Sequence, residues 1–535
     1  MGQKRGVTRR SFVGTTGAVW LGSGLWACAD DEGGPSGLEL ERDPPPPAPE
    51  LASEPFRLGV ASGDPLADRV VLWTRLAPEP LAPMGGMAAM ERVPVVWEVF
   101  EDEGLTRPVR NGWVWALPQF AFSVHVDVDG LRPATFYWYR FRVGERWTSP
   151  TGRTKTFPAA DADPEVMRFA LACCQKHSSG YYTAHAHIAA ADLDVVFFVG
   201  DYIYESGSAP NPPGREPIVT QRVTDLAGFR NRYAAYRTDT NLQEAHRQHP
   251  WMVTWDDHEV SNNYAGSTLS EPRRGDGDGQ AIRDAGYQAW YEHMPVRLSP
   301  PVAGSSFPIY RDAAFGRLAH FYVLDSRQYR TPQGCGDRVG RGCEDIFAPD
   351  RTMLGEEQKG WLEGRLRASQ ARWNVLVQQV VFGPVNANYR LVNPDQWDGY
   401  VVARQRILDM FVEHEVPNPL VLSGDVHAAG FMVLRQDAED PDSPVLGHEI
   451  LATSIASGGD GADGAASLAP LAERVLPDVK YFEAGKRGFT LCELRRSHCD
   501  ATYHVVTTVM APTADLQVER VFRVSADGLQ FERLA

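Results

Sequence analysis

Residues 195–205 read VVFFVGDYIYE: five apolar residues run into Gly200-Asp201, and Tyr204 follows three positions after the aspartate. A continuous apolar run of this length predicts a strand buried on both faces, as in a parallel sheet covered by helices. Gly200 allows a tight turn where the strand ends. Asp201 and Tyr204 are therefore expected on one rim, at the carboxyl ends of the strands, where open α/β sheets hold their ligands.

The same arrangement recurs along the chain. MRFALACCQ (Met167 to Gln175) ends in Cys173-Cys174-Gln175, WMVTWDDHE (Trp251 to Glu259) ends in Asp256-Asp257-His258-Glu259, and NPLVLSGDVH (Asn418 to His427) ends in Gly424-Asp425-Val426-His427. Ala319 to Leu324 and Val375 to Val381 read as companion strands. Packing alone does not explain metal-ligand side chains at so many converging strand ends. Beyond Asp163, Leu226 to Arg247 and Gly355 to Ser369 carry helical spacing, which predicts a layered α/β core. Thr268 to Gly279, rich in charge and Gly, reads as a surface loop. No repeat of solenoid or propeller length is present.

Phe56 to about Ala160 has a different texture. The alternating segments Arg69 to Leu76, Val93 to Phe100, Phe120 to Val128 and Phe136 to Val143, parted by Pro, Gly and Asp turns, predict a β-sandwich. Leu131 to Tyr137 (LRPATFY) resembles the tyrosine corner of immunoglobulin-like and fibronectin type III sandwiches. This region carries no catalytic cluster.

The first 28 residues read as an export address. Lys4, Arg5, Arg9 and Arg10 form a basic head, Arg9-Arg10-Ser11-Phe12-Val13 is a twin-arginine pattern, and Phe12 to Trp26 is too short and only moderately apolar for a membrane span. Leu25-Trp26-Ala27-Cys28 resembles a lipoprotein cleavage box, with lipidation of Cys28 and ordinary cleavage both open. Residues 29–55, with Pro44 to Pro47, read as a stiff, unfolded spacer.

A chain of 535 residues predicts two or three domains. Its net charge of −16 becomes about −20 once the four basic leader residues are removed. That balance disfavours nucleic acid and anionic membrane as partners, leaving a lipid on Cys28 as the one membrane link expected. Of seven cysteines, Cys335 with Cys343 and Cys492 with Cys499 are spaced so that each pair could close a disulfide in an oxidising compartment.

Asp201, Asp257 and Asp425, together with His427, Tyr204 and Cys174, mix hard oxygen donors with nitrogen and sulfur. Three nearby carboxylates repel one another unless protonated or neutralised, so metal is the simplest account. Tyrosinate and thiolate suit a strongly Lewis-acidic ion such as ferric iron, while the carboxylate-rich positions suit calcium, magnesium or manganese. Two ions sharing a carboxylate would clamp a phosphoryl group and activate water. His258, beside Asp257, is placed to donate to the phosphate or protonate the leaving group.

Gly200-Asp201-x-x-Tyr204 resembles a motif of purple acid phosphatases and other calcineurin-like metallophosphoesterases. The wider ordered set resembles the PhoD-like alkaline phosphatase and phosphodiesterase family: Ala172 to Gln175, GDYIYE, TWDDHEVSNNYA from Thr254, YQAWYEHMPVR from Tyr287, LDSRQYR from Leu324, RWNVLVQQV from Arg372, SGDVHAAG from Ser423 and TSIASGGDG from Thr453. The resemblance implies an immunoglobulin/fibronectin III-like N-terminal sandwich (56–160) followed by a four-layer α/β/β/α metallophosphoesterase domain (161–535). It implies Fe3+ held by Cys174, Asp201, Tyr204 and His427. Asp201 would bridge to a Ca2+ site completed by Asp257 and Asp425, with Asn262 contributing, and Cys173 would be structural. Asp201 and His258 would be the catalytic pair. Mn2+, Mg2+ or Zn2+ could stand in for these ions.

Two departures matter. Ser261 stands where the family pattern is usually acidic. No residue near Gln378-Gln379 supplies the extra histidine of purple acid phosphatases, which favours iron with calcium over iron with zinc. The expected protein is thus an exported, periplasmic or cell-surface monomer that hydrolyses phosphate esters. A phosphodiesterase or phospholipase D-type enzyme is the first alternative, and a non-catalytic, surface-tethered binding protein the second.

Overall fold

In the computed structural model, three parallel strands, Val166–Ala172, Val195–Phe198 and Pro250–Val253, carry the stretches singled out above. Phe198 is in register with Ala172 on one side and Val253 on the other. The turns bearing Cys174, Asp201 and Asp257 therefore leave the sheet at one level. The structure describes residues 44–206, 215–216, 218–270, 278–385, 388–437, 440, 442–461, 469–527 and 529–535. The basic leader, Cys28 and the first part of the spacer lie outside the described residues, as do positions 271–277 of the charged, Gly-rich loop.

These strands sit in the middle of a ten-stranded sheet. On one side it continues through Gly488–Arg495, His498–Val506, Leu516–Ser525 and Phe531–Arg533, and on the other through Val60–Gly63, Val70–Arg75 and Ser123–Val128. Part of the N-terminal β region thus extends the central sheet, with Val60–Gly63 running parallel to Pro250–Val253. The remaining N-terminal strands, among them Val93–Phe100, Pro108–Ala116 and Phe136–Val143, form a separate sheet. In it Tyr137 is fully buried and its hydroxyl accepts a hydrogen bond from the Arg132 amide at 2.8 Å.

A seven-stranded sheet holds the companion strands Ala319–Val323, Trp373–Val377 and Pro419–Ser423, all parallel, and the last of these feeds Gly424-Asp425. Alternation along each strand divides its side chains between two faces. Phe169 and Phe197 of the first sheet meet Phe321, Val375 and Leu420 of the second in one apolar cluster, with the Phe197 and Phe321 rings 4.7 Å apart. On the far side of the first sheet, Val196, Phe198 and Trp251 pack with Ile188, Phe229, Tyr233 and Trp290 from helices. On the far side of the second, Leu376 and Val421 pack with Leu362, Leu366, Ile407 and Phe411. The single long helical stretch expected from Leu226 to Arg247 is two helices, Leu226–Arg237 and Thr240–Gln248, because Asp239 caps the second by accepting from the Leu242 amide.

Two sequence expectations are corrected here. Leu51, within the segment read as unfolded spacer, is buried against the N-terminal core beside Phe56. Cys335 and Cys343 form a disulfide, whereas Cys492 and Cys499 are free, buried thiols. The hairpin register explains the second point: Cys492 lies opposite Ala501 and Cys499 opposite Leu494, so the cysteines are diagonal rather than facing. Among the described residues, no helix is long and apolar enough to cross a membrane.

Candidate metal centre

Four of the expected ligands sit on left-handed backbone: Cys174 (φ 58°), Asp201 (φ 57°), Asp425 (φ 68°) and His427 (φ 56°). Each such non-glycine residue costs of order 1 kcal/mol and persists only where its surroundings over-determine it. Here the turns brace one another. The Cys174 amide donates to Gly200 O at 3.1 Å and the Gln175 amide to Asp201 O at 3.0 Å. The buried Glu259 carboxylate accepts from the amides of Asp201, Tyr202 and Asp256 at 3.1, 2.6 and 2.8 Å. Gly200 has φ 111°, and a Cβ there would lie 2.3 Å from Asp256 Cβ, so the two ligand turns can approach only through glycine.

Three groups of donor atoms result, the atoms of each lying within 4.8 Å of one another: Cys174, Asp201 and His427; Asp201, Asp257 and His258; and Asp256, Asp257 and Asp425. Tyr204 joins the first group, its hydroxyl 2.7 Å from Asp201 Oδ2 and 3.0 Å from His427 Nε2. Asn262 lines the same cavity, and its backbone amide donates to Glu205 at 3.2 Å. Cys173 is buried between the sheets. Ser261 accepts a hydrogen bond from Arg222. Asp201, Asp257, His258, Asn262, Asp425 and His427 line one cavity, and Cys174 and Tyr204 meet Asp201 and His427 beside it.

A cation fits this end better than hydrogen bonding does. Asp257 Oδ1 and Asp256 Oδ2 are buried with no hydrogen-bond partner, a costly condition for a carboxylate unless something positive meets it. Burial, joined by the neighbouring carboxylates, holds the pKa of both Asp201 and Asp425 well above the usual carboxylate range. Burial likewise raises the Cys174 thiol and the Tyr204 phenol. Such groups ionise once cations replace the protons.

Several residues that matter here were not given roles by the sequence. Glu205, part of the GDYIYE stretch, meets His258 Nδ1 at 2.6 Å. Burial works against charge on both, yet the pair prevails: the carboxylates of Asp257, Glu205 and Asp201 raise the His258 pKa well above the imidazole range, and His258 helps bring Glu205 down to about 2. Arg327, wholly buried, bonds Asp256 and forms a fork with Asp395 at 2.7 and 2.8 Å. Nη2, one of the two nitrogens of that fork, also lies 3.9 Å from Asp257 Oδ2 and 4.0 Å from Asp425 Oδ1. Arg327 falls directly after a predicted strand within LDSRQYR, a legible signal. Asp395 and Gln396, which donates to Asp425 Oδ2, come from an irregular segment with no periodicity to place it. Gln379 ties the two sheets at the rim, donating to Thr254 Oγ1 and Trp255 O at 2.7 and 2.8 Å.

Comparison with known proteins agrees with this geometry. Residues 169–503 match the family described as PhoD-like phosphatase, and residues 42–158 match the N-terminal domain of PhoD-like phosphatases. The chain is 43% identical over 488 residues to alkaline phosphatase D of Bacillus subtilis (strain 168), covering 90% of this chain and 82% of that protein. A solved structure titled "Structure of PhoD" superposes with a TM-score of 0.86 at 42% identity, covering 91% of this chain and 94% of that one. With the family model matched over residues 169–503, and sequence and fold shared with these relatives over some nine-tenths of its length, the chain belongs to the PhoD-like phosphatase family.

Proposed function

We propose that this protein is a metal-dependent phosphoric ester hydrolase of the alkaline phosphatase type. The observation that carries the reading is the double membership of Asp201. It belongs both to the donor group with Cys174 and His427 and to the group with Asp257 and His258, as a carboxylate bridging two cations requires. Ferric iron would be held by Cys174, Asp201, Tyr204 and His427, and calcium by Asp201, Asp257 and Asp425 with Asn262. When bound, the two cations supply Lewis acidity toward the phosphoryl oxygens and lower the pKa of the attacking water.

The chain's own residues do the rest. Glu205 holds His258 by Nδ1, leaving Nε2 as the edge that can pass a proton to the departing oxygen. Arg327, Asp395 and Gln396 fix Asp256 and Asp425 in place, so little reorganisation accompanies the reaction. With Cys174 assigned to the iron and His258 to proton transfer, we take the attacking group to be water rather than a side chain.

A second reading, hydrolysis of phosphodiesters, is favoured by the cavity of about 650 Å³, far larger than a phosphate group needs. The leader supports export by the twin-arginine route to the periplasm or cell surface, with Cys28 as the candidate lipid attachment point, and we take the protein to be a monomer. We also read 56–160 as the immunoglobulin/fibronectin III-like sandwich, on the strength of the Tyr137 hydrogen bond, and 161–535 as the four-layer α/β/β/α domain.

Initial rates on p-nitrophenyl phosphate and bis(p-nitrophenyl) phosphate at alkaline pH with calcium, against Asp201→Ala, test the function. Turnover of either ester above that variant supports hydrolysis, and the faster one sets the class. Equal rates in iron-replete wild type and variant would overturn it.

A further inference from the structure

The cavity that holds the candidate metal centre has two chemically distinct ends. Asp201, Asp257, His258, Asp425 and His427 gather at one. The other is walled by Val339, Val385, Leu391, Val475, Leu476 and Phe482, and no lysine or arginine lines the cavity among the described residues. This wall comes from three separate pieces of chain. Val339 lies on the loop closed by the Cys335–Cys343 disulfide, Leu391 on the segment bridged to that loop through Gly340 and Val392, and Val475 ends the short helix Ala469–Val475.

Half of the wall is anchored and half is open. Leu476, Phe482 and Val385 pack on a buried cluster with Val381 and Met432. Val339, Leu391 and Val475 are 64, 47 and 48% exposed. Isolated apolar residues on a surface need no explanation, but these three lie on one cavity that is continuous with the polar end. The disulfide loop is also held in place: Asp337 accepts from Asn263 Nδ2 at 3.1 Å, and Asn263 follows directly on Asn262 of the centre. The wall is thus built onto the site rather than incidental to it.

We infer that the site takes phosphate esters whose organic arm is apolar, an aliphatic or aryl group drawn from solution, seated against the Val339, Leu391, Val475 and Phe482 wall. This rests on the phosphatase reading and narrows it. Asn263, Asn393, Gln396 and Asp398 also line the cavity, but a sugar or nucleoside arm seated on the apolar wall itself would turn hydroxyls onto side chains that offer them no partner, at the cost of their hydration. An alkyl arm would instead bury both itself and the three open side chains. Each methylene buried should tighten binding by roughly 3- to 4-fold.

The two readings can be separated by pairing non-hydrolysable ligands with substrates. Affinities of methyl-, butyl- and hexylphosphonate for the metal-loaded protein, by calorimetry, test the wall without turnover. Phosphate release from the matching alkyl phosphates tests hydrolysis. The expected result is an affinity for hexylphosphonate at least 10-fold above that for methylphosphonate, with a slope reduced in Val475→Ser and Leu391→Ser while methylphosphonate binding is unchanged. Both positions are about half exposed, so the variants should fold. Equal affinities along the series, or a slope that both variants retain, would overturn the inference. Tighter binding of hexylphosphonate with no phosphate released from the alkyl phosphates and no turnover of bis(p-nitrophenyl) phosphate would uphold the apolar wall and overturn the hydrolase reading.

Discussion

The Tyr204 hydroxyl donates to Asp201 Oδ2 at 2.7 Å, across one turn of chain, while Ser457 Oγ donates to the same hydroxyl at 2.8 Å. The phenol is thus pinned from two sides at the edge of the Cys174, Asp201 and His427 group. Burial, with the charges of Asp201 and Cys174, raises its pKa well above the usual phenol range. It therefore becomes a phenolate only when a cation draws the proton off.

If that cation is ferric iron, the purified protein should be coloured by phenolate-to-metal charge transfer, and Tyr204→Phe should lose the band together with most of the activity. Visible absorption beside iron analysis checks this. A Tyr204→Phe protein with unchanged colour and iron content would remove Tyr204 from the ligand set.

Glu205→Gln keeps an oxygen that can accept from His258 Nδ1–H but removes the charge, whereas Glu205→Ala removes both. We expect kcat to fall about 10- to 100-fold in Glu205→Ala with KM little changed, and Glu205→Gln to recover part of the loss. Equal effects of the two substitutions would mean that Glu205 supports the fold around Asn262 rather than orienting the imidazole.

Periodicity and strand-end chemistry made the central parallel strands and their ligand turns legible, because a run such as Val195 to Val199 has few other uses and Gly200 marks its end. Three further facts had no such signature. The pairing of Val60–Gly63 with Pro250–Val253 is set by packing between distant segments. Asp395 is brought to the centre from an irregular stretch by its fork with Arg327 and by Arg330 and Gln333. The diagonal placement of Cys492 and Cys499 depends on hairpin register, which residue spacing leaves open.

Among the described residues, Arg327 is the one guanidinium that compensates Asp256 while lying within 4.0 Å of both Asp257 and Asp425. Arg327→Met should leave Asp256 buried without its ion partner, while Asp395 keeps Arg330, at a cost of about 3 to 5 kcal/mol. Chemical denaturation of the metal-loaded protein would measure it. A loss below about 1 kcal/mol would mean that the carboxylates shed their charge or find water instead.

Acid should destabilise this fold through histidines buried in the neutral form. His448 faces Phe431 and Phe531, neither ring nitrogen has a hydrogen-bond partner, and burial, helped by the Lys480 charge, lowers its pKa to about 3. The folded value lies below the unfolded one of about 6.5. The stability it permits is therefore complete above that pH, and is lost as pH falls toward the folded value, because only the unfolded chain takes up the proton. At pH 5 the penalty relative to pH 8 is about 2 kcal/mol. Replacement by a similarly shaped apolar ring removes the titration while keeping the packing. His448→Phe should accordingly gain about 2 kcal/mol over wild type in urea unfolding on going from pH 8 to pH 5. Taking the difference between the two proteins cancels acid-driven loss of metal, which both share. An unchanged difference at the two pH values would show that His448 binds its proton in the folded state as readily as in the unfolded chain.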